Sequence, residues 1–115
     1  MNVFEYAYQN ELMFENVCNN IGYKRQTTFY SDLSIAELRG IDAVKETYNN
    51  IVKHWSNDVV YFSEFVLCLN WKINQHYKNN PTLADDYNEL FVKADKIACN
   101  TYKGEDLEYY LQTID

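Results

Sequence analysis

Apolar residues return at intervals close to one helical turn along most of the chain, which predicts helices rather than strands. Val3, Ala7, Phe14, Val17 and Ile21 form a first stripe, interrupted by Asn10 and Glu11 and stopped by Gly22. Ile41, Val44, Tyr48, Ile51, Val52 and Trp55 form the clearest stripe, with Asp42 and Glu46 on the opposite face. From Asp58 to Tyr77 the wheel carries two apolar arcs: Val59, Phe62, Phe65, Val66, Leu69 and Ile73 on one side, and Val60, Leu67 and Trp71 on another. A helix apolar on two sides needs neighbours on both, so this one is expected at the centre of a bundle. Asn80 and Pro81 suit the cap and first position of the next helix, whose inner face is Leu83, Tyr87, Leu90, Phe91, Ala94, Ile97 and Ala98. Lys103 and Gly104 end it. Glu105, Asp106 and Glu108 then fall in the first turn of a last short helix that turns Leu107, Tyr110 and Leu111 inward.

One stretch breaks the pattern. Phe29, Ser31, Leu33 and Ile35 alternate with Tyr30, Asp32 and Ser34, and Thr27 and Thr28 precede them, so residues 23–33 are expected to be extended. The chain offers no second alternating run as a partner, which leaves a crossing loop or a strand paired across a two-fold axis in a homodimer. Ser34-Ile35-Ala36-Glu37 has the spacing of a capping box and is expected to start a short helix before Gly40.

The fold class that follows is all-α: a single domain, 1–115, built as a compact bundle of four to five helices with one extended segment near residues 23–33. Three glycines and one proline provide too few turns for an all-β domain. No run approaches the roughly 18 apolar residues that cross a bilayer, and no signal-peptide pattern opens the chain, so a cytoplasmic protein without membrane contact is expected. Cys18, Cys68 and Cys99 lack CxxC spacing and read as free core thiols.

The net charge of −7 gathers at the two ends: residues 1–23 hold three acids and no base, and residues 82–115 hold eight acids and three bases. Without clustered Lys and Arg, direct nucleic-acid binding is not expected. Carboxylates stand four apart at Glu11 and Glu15, Asp42 and Glu46, and Asp85 and Glu89, but the second and third pairs oppose their apolar stripes and read as solvated faces. His54 and His76 have no carboxylate at ligand spacing, and no nucleophile elbow or glycine-rich phosphate loop occurs, so neither a metal, a cofactor nor a catalytic residue is expected.

Two features point to binding. Ser63, Asn70 and Asn74 form a polar seam on the central helix, and with His76 nearby they are candidate ligand-binding groups if they are not simply bonded to adjacent helices. Eleven tyrosines are many for 115 residues, and Tyr102, Tyr109 and Tyr110 lie beside Glu105 and Asp106, an expected partner surface.

The run Thr28-Phe29-Tyr30-Ser31-Asp32-Leu33-Ser34-Ile35-Ala36-Glu37 with Gly40, then Leu69-Asn70-Trp71-Lys72-Ile73, Gln75-His76-Tyr77, Tyr87-Asn88-Glu89-Leu90 and Gly104-Glu105-Asp106-Leu107, resembles a family of small uncharacterised proteins of gut Bacteroidales and their phages and mobile elements. The resemblance implies a setting and no mechanism. The expected function is a non-enzymatic accessory or interaction module that meets another protein through the acidic, tyrosine-bearing surface or a helical groove. The alternatives are a small-ligand-binding protein or minor enzyme using the polar seam, and a structural homo-oligomer.

Overall fold

The structure is a computed structural model and describes residues 24–114. The stripe from Val3 to Ile21, its stop at Gly22, the Glu11 and Glu15 pair and Cys18 lie outside the described residues. Five helices follow in order: α1 (Lys24–Arg39), α2 (Ile41–Trp55), α3 (Val59–His76), α4 (Pro81–Thr101) and α5 (Gly104–Ile114). No strand occurs among the described residues, and the all-α bundle is the observed architecture.

The segment expected to be extended is the first part of α1, a continuous helix of 16 residues. Helical spacing brings Phe29, Leu33 and Ala36 onto one buried face, with Tyr30 beside them. Phe29 packs its ring edge-on against Trp55 at 6.0 Å and Phe65 at 5.5 Å. These contacts decide the conformation: a strand would send alternate residues to opposite sides and expose half of this face. Ser34 and Glu37 therefore sit in mid-helix and cap nothing, and residues 27–33 are helical here where a strand is expected.

Gly40 alone joins α1 to α2. Its φ of +110° and ψ of 172° belong to glycine, since a side chain there meets the flanking backbone. The remaining starts follow the sequence. Asp58 accepts from the Tyr61 amide at 3.1 Å and Asn80 from the Leu83 amide at 3.2 Å, with Pro81 in the first turn of α4. Gly104, at φ +58°, turns the chain from α4 into α5.

Helix α3 is the hub, packing against α1, α2, α4 and α5. Five successive residues, Phe62 to Val66, are buried, which only a helix enclosed on all sides achieves. Phe65 is the centre of the aromatic core, within 6 Å of the ring centres of Phe29, Tyr48 and Phe62. Helix α5 is fastened by Tyr110, fully buried, whose hydroxyl donates to Asp95 on α4 at 2.6 Å. Cys68 is in the core as expected, but Cys99 is exposed, so only one of these two is a core thiol.

Candidate functional site

Two arrangements built on α1 stand out, one closed and one open. The closed one begins with Lys72, which falls three residues after Leu69 and seven after Phe65, and so on the core face of α3. It is fully buried. An ammonium taken out of water needs partners for its charge and its protons. Lys72 Nζ finds three: it donates to Ser34 Oγ at 2.7 Å, pairs with Glu37 Oε1 at 3.0 Å, and lies 4.3 Å from the centre of the Tyr30 ring.

Glu37 Oε1 collects more than this one charge. The Tyr87 hydroxyl on α4 donates to it at 2.5 Å, and His76 Nε2 at the end of α3 lies 3.2 Å away. The His76 ring stacks parallel on Tyr87 at 6.0 Å. Tyr30 also donates to Gln75 Oε1 at 2.8 Å. The Ser34 and Glu37 side chains, three apart on α1, thus bind α3 and α4 together at one carboxylate. The spacing that resembles a capping box is also the spacing of neighbours on one helical face.

This cluster holds the residue types of acid and base chemistry without the freedom to perform it. Lys72 Nζ is already engaged by Ser34 Oγ, Glu37 Oε1 and the Tyr30 ring. The groups converge on each other rather than on a shared space for a substrate.

The open arrangement lies on the outer side of α1. A cleft of about 280 Å³ runs between α1 and α2, lined by Asp32, Ile35, Ala36 and Arg39 on one wall and Thr47, Asn50 and Ile51 on the other. Asp32, Ile35, Ala36 and Arg39 stand at spacings of three and four, a single stripe along α1. Ile35 is 58% exposed, and Leu38 beside it is 88% exposed. Burial against the cleft pushes the Asp32 carboxyl above its ordinary value. Among the described residues neither Asp32 nor Arg39 has an ion-pair partner.

The residues singled out from the sequence scatter differently. Ser63 is fully buried and its Oγ has no hydrogen-bond partner among the described residues, Asn70 is half-buried, and Asn74 is exposed. The seam runs out of the bundle instead of enclosing a space, and none of its members lines the cleft. His76 belongs to the closed cluster.

On the expected partner surface Glu105 and Asp106 are exposed and Tyr109 is half-buried, but Tyr102 and Tyr110 are core residues. Tyr102 donates to the Ser56 carbonyl at 2.6 Å, and Tyr110 to Asp95. That surface is acidic without these two rings, because each ring is buried and its hydroxyl is held inside.

Lys72, Glu37, Ser34 and Tyr87 were absent from the sequence-based candidates; the signal available was a lysine in register with Phe65 and Leu69. Leu38 and Ile35 were also missed. Among the described residues no group of three or more His, Cys, Asp or Glu is placed to hold a metal ion, and no helix is long and apolar enough to cross a membrane. No family model matches the chain, and no curated protein or solved structure matches it.

Proposed function

We propose that this protein is a non-enzymatic interaction module that meets another polypeptide through the outer face of α1 and the cleft α1 forms with α2. The observation that carries the reading is the exposure of Ile35, which lines the cleft, and of Leu38, one helical turn further along α1. Leaving a leucine in water instead of burying it forgoes roughly 1.5–3 kcal/mol. Adjacent exposed aliphatic residues next to a concave wall with hydrogen-bonding groups are the surface pattern of a helix-mediated contact. The helical groove thus replaces the tyrosine-bearing surface as the docking region.

The closed cluster supports the same reading from the other side. It fixes α1 against α3 and α4, so the outer face of α1 is presented by a helix already in place, and docking requires little ordering of the module. The resemblance to small proteins of mobile elements in gut Bacteroidales fits an accessory role of this kind.

The test is a photo-crosslinking amino acid placed at Leu38 and, in a second variant, at the exposed Glu89 on α4, irradiated in the producing cell. A discrete covalent adduct to a polypeptide from position 38 and none from position 89 is the expected result. Failure to form any adduct at position 38 overturns the reading.

A further inference from the structure

The α1 wall of the cleft is dipolar. Asp32 and Arg39 stand seven residues and roughly 10 Å apart along it, with the exposed Ile35 between them, so the wall presents an anion, an aliphatic side chain and a cation in line. Neither charge has an ion-pair partner among the described residues. At about 280 Å³ the cleft is open and smaller than the sites of roughly 300–1,000 Å³ that enclose a small molecule. A groove between two neighbouring helices instead suits side chains brought by a third helix laid along it. The complement of this wall is a cation level with Asp32, an aliphatic residue on Ile35 and a carboxylate level with Arg39.

Two orientations of a third helix supply that complement. Antiparallel to α1, it needs an acid first, an aliphatic residue four positions on and a base seven positions on; parallel to α1, it needs the base first. The antiparallel order sets the acid toward the helix N-terminus and the base toward the C-terminus, as the helix dipole favours, and the parallel order opposes it. We infer that the polypeptide received by the cleft is an amphipathic helix of another protein, antiparallel to α1, with an Asp or Glu paired to Arg39 and, seven residues later, a Lys or Arg paired to Asp32. The inference rests on the interaction reading above and states the chemistry of its partner. Within the described helices the same order occurs at Asp32, Ala36 and Arg39 and at Asp86, Leu90 and Lys93, and in both the middle residue is buried, so a second copy does not present it. The cleft beside Asp32 offers Thr47 and Asn50, whose side-chain oxygens suit an incoming guanidinium. Burial raises the Asp32 carboxyl with no cation among the described residues to offset it, and a base from the partner supplies that cation. Arg39 also lies in the last turn of α1, where a cation suits the helix end, but that role asks nothing of Asp32.

Selection from a peptide library tests the charge order. A display library of alanine-based helical peptides, with acidic, basic, aliphatic and neutral polar residues allowed along one face, is selected on the full chain and on the exchanged double variant, Asp32→Arg with Arg39→Asp. Circular dichroism checks that the variants keep their helices. Binders to the wild type are expected to converge on an acid, an aliphatic residue four positions later and a base seven positions later. Their affinity should fall roughly tenfold or more on the neutral double variant, Asp32→Asn with Arg39→Gln. Binders selected on the exchanged variant should carry the base first, because the charges they meet have changed places. A proline in the middle of a selected peptide should abolish binding by breaking its helix. An absence of binders overturns the inference, and so do wild-type binders with no charge order, with the base first, or with equal affinity for the neutral variant. The crosslink at position 38 separates the two claims. An adduct to a different protein together with charge-indifferent library binders leaves the interaction reading standing without this partner. An adduct of twice the chain mass does the same, whereas no adduct removes both.

Discussion

Lys72 and Glu37 face each other at 3.0 Å across the contact between α3 and α1, with the lysine fully buried and the carboxylate near the rim. A buried ion pair is weak evidence for net stability, because desolvation offsets much of the attraction. Its structural effect is registry: sliding α1 by one turn moves Glu37 some 5 Å and strands an ammonium in the core. Removing the carboxylate with Glu37→Leu is expected to destabilise the fold by about 3–5 kcal/mol. Adding Lys72→Met in the same chain is expected to recover most of that loss. Urea unfolding midpoints of the two variants check both expectations.

Tyr102 and Tyr110 make stability fall at alkaline pH. Burial pushes both phenols far above their ordinary value near 10, and the Asp95 hydrogen bond adds to the effect at Tyr110. Above about pH 10 the unfolded chain releases these protons and the folded chain retains them, so the unfolded state binds fewer protons and unfolding becomes easier as pH rises. The stabilising effect is complete below pH 10 and declines above it. Ultraviolet absorbance should show that these tyrosines ionise only as the helical dichroism disappears, and Tyr110→Phe should reduce that coupling.

Ser63 gives a prediction of opposite sign. A buried hydroxyl without a partner among the described residues carries a desolvation penalty, so Ser63→Ala should leave stability unchanged or raise it by up to about 1–2 kcal/mol. A large loss in a thermal melt would show that its oxygen has a bonding role.

Gly40 and Leu38 form a contrast between backbone and surface. Gly40→Ala should destabilise by about 1–3 kcal/mol, because its φ of +110° is strained for any side chain even though open space surrounds it. Leu38→Asp should leave the melting temperature within about 2 °C of the wild type while abolishing crosslinking from a photo-reactive residue placed at the neighbouring Ile35. A melt that falls sharply for Leu38→Asp would place that residue in the fold instead.

Helices α2 to α5 are legible because their signals agree: Asn80 caps, Pro81 starts, and the apolar stripes repeat at one turn. The central position of α3 followed from its two apolar arcs. Helix α1 was misread because Phe29, Leu33 and Ile35 satisfy both alternation and parts of a helical pattern, and aromatic and threonine residues tilt the balance toward strand. Packing settled it: Phe29 and Leu33 are core, whereas Ile35, counted as apolar in the alternating series, points to water. Of the candidate binding groups, His76 was found for the wrong neighbours. Its contacts, Glu37 and Tyr87, lie 39 and 11 positions away in the chain and become adjacent only when three helices meet. The charge around Tyr102 and Tyr110 places both on the acidic surface, whereas the helical stripe already turns Tyr110 inward, as it is, and Leu111 inward, which is exposed; local acidity does not reveal which rings the fold encloses.

The one-glycine joint at position 40 has a consequence for how this surface can vary. Inserting or deleting a single residue there would change the direction in which α2 leaves α1 and separate Ile35 and Arg39 from Thr47 and Asn50. The two walls of the cleft are therefore coupled in shape. New recognition properties on this face have to arise by exchanging side chains, because changes in loop length would dismantle the groove before they could reshape it.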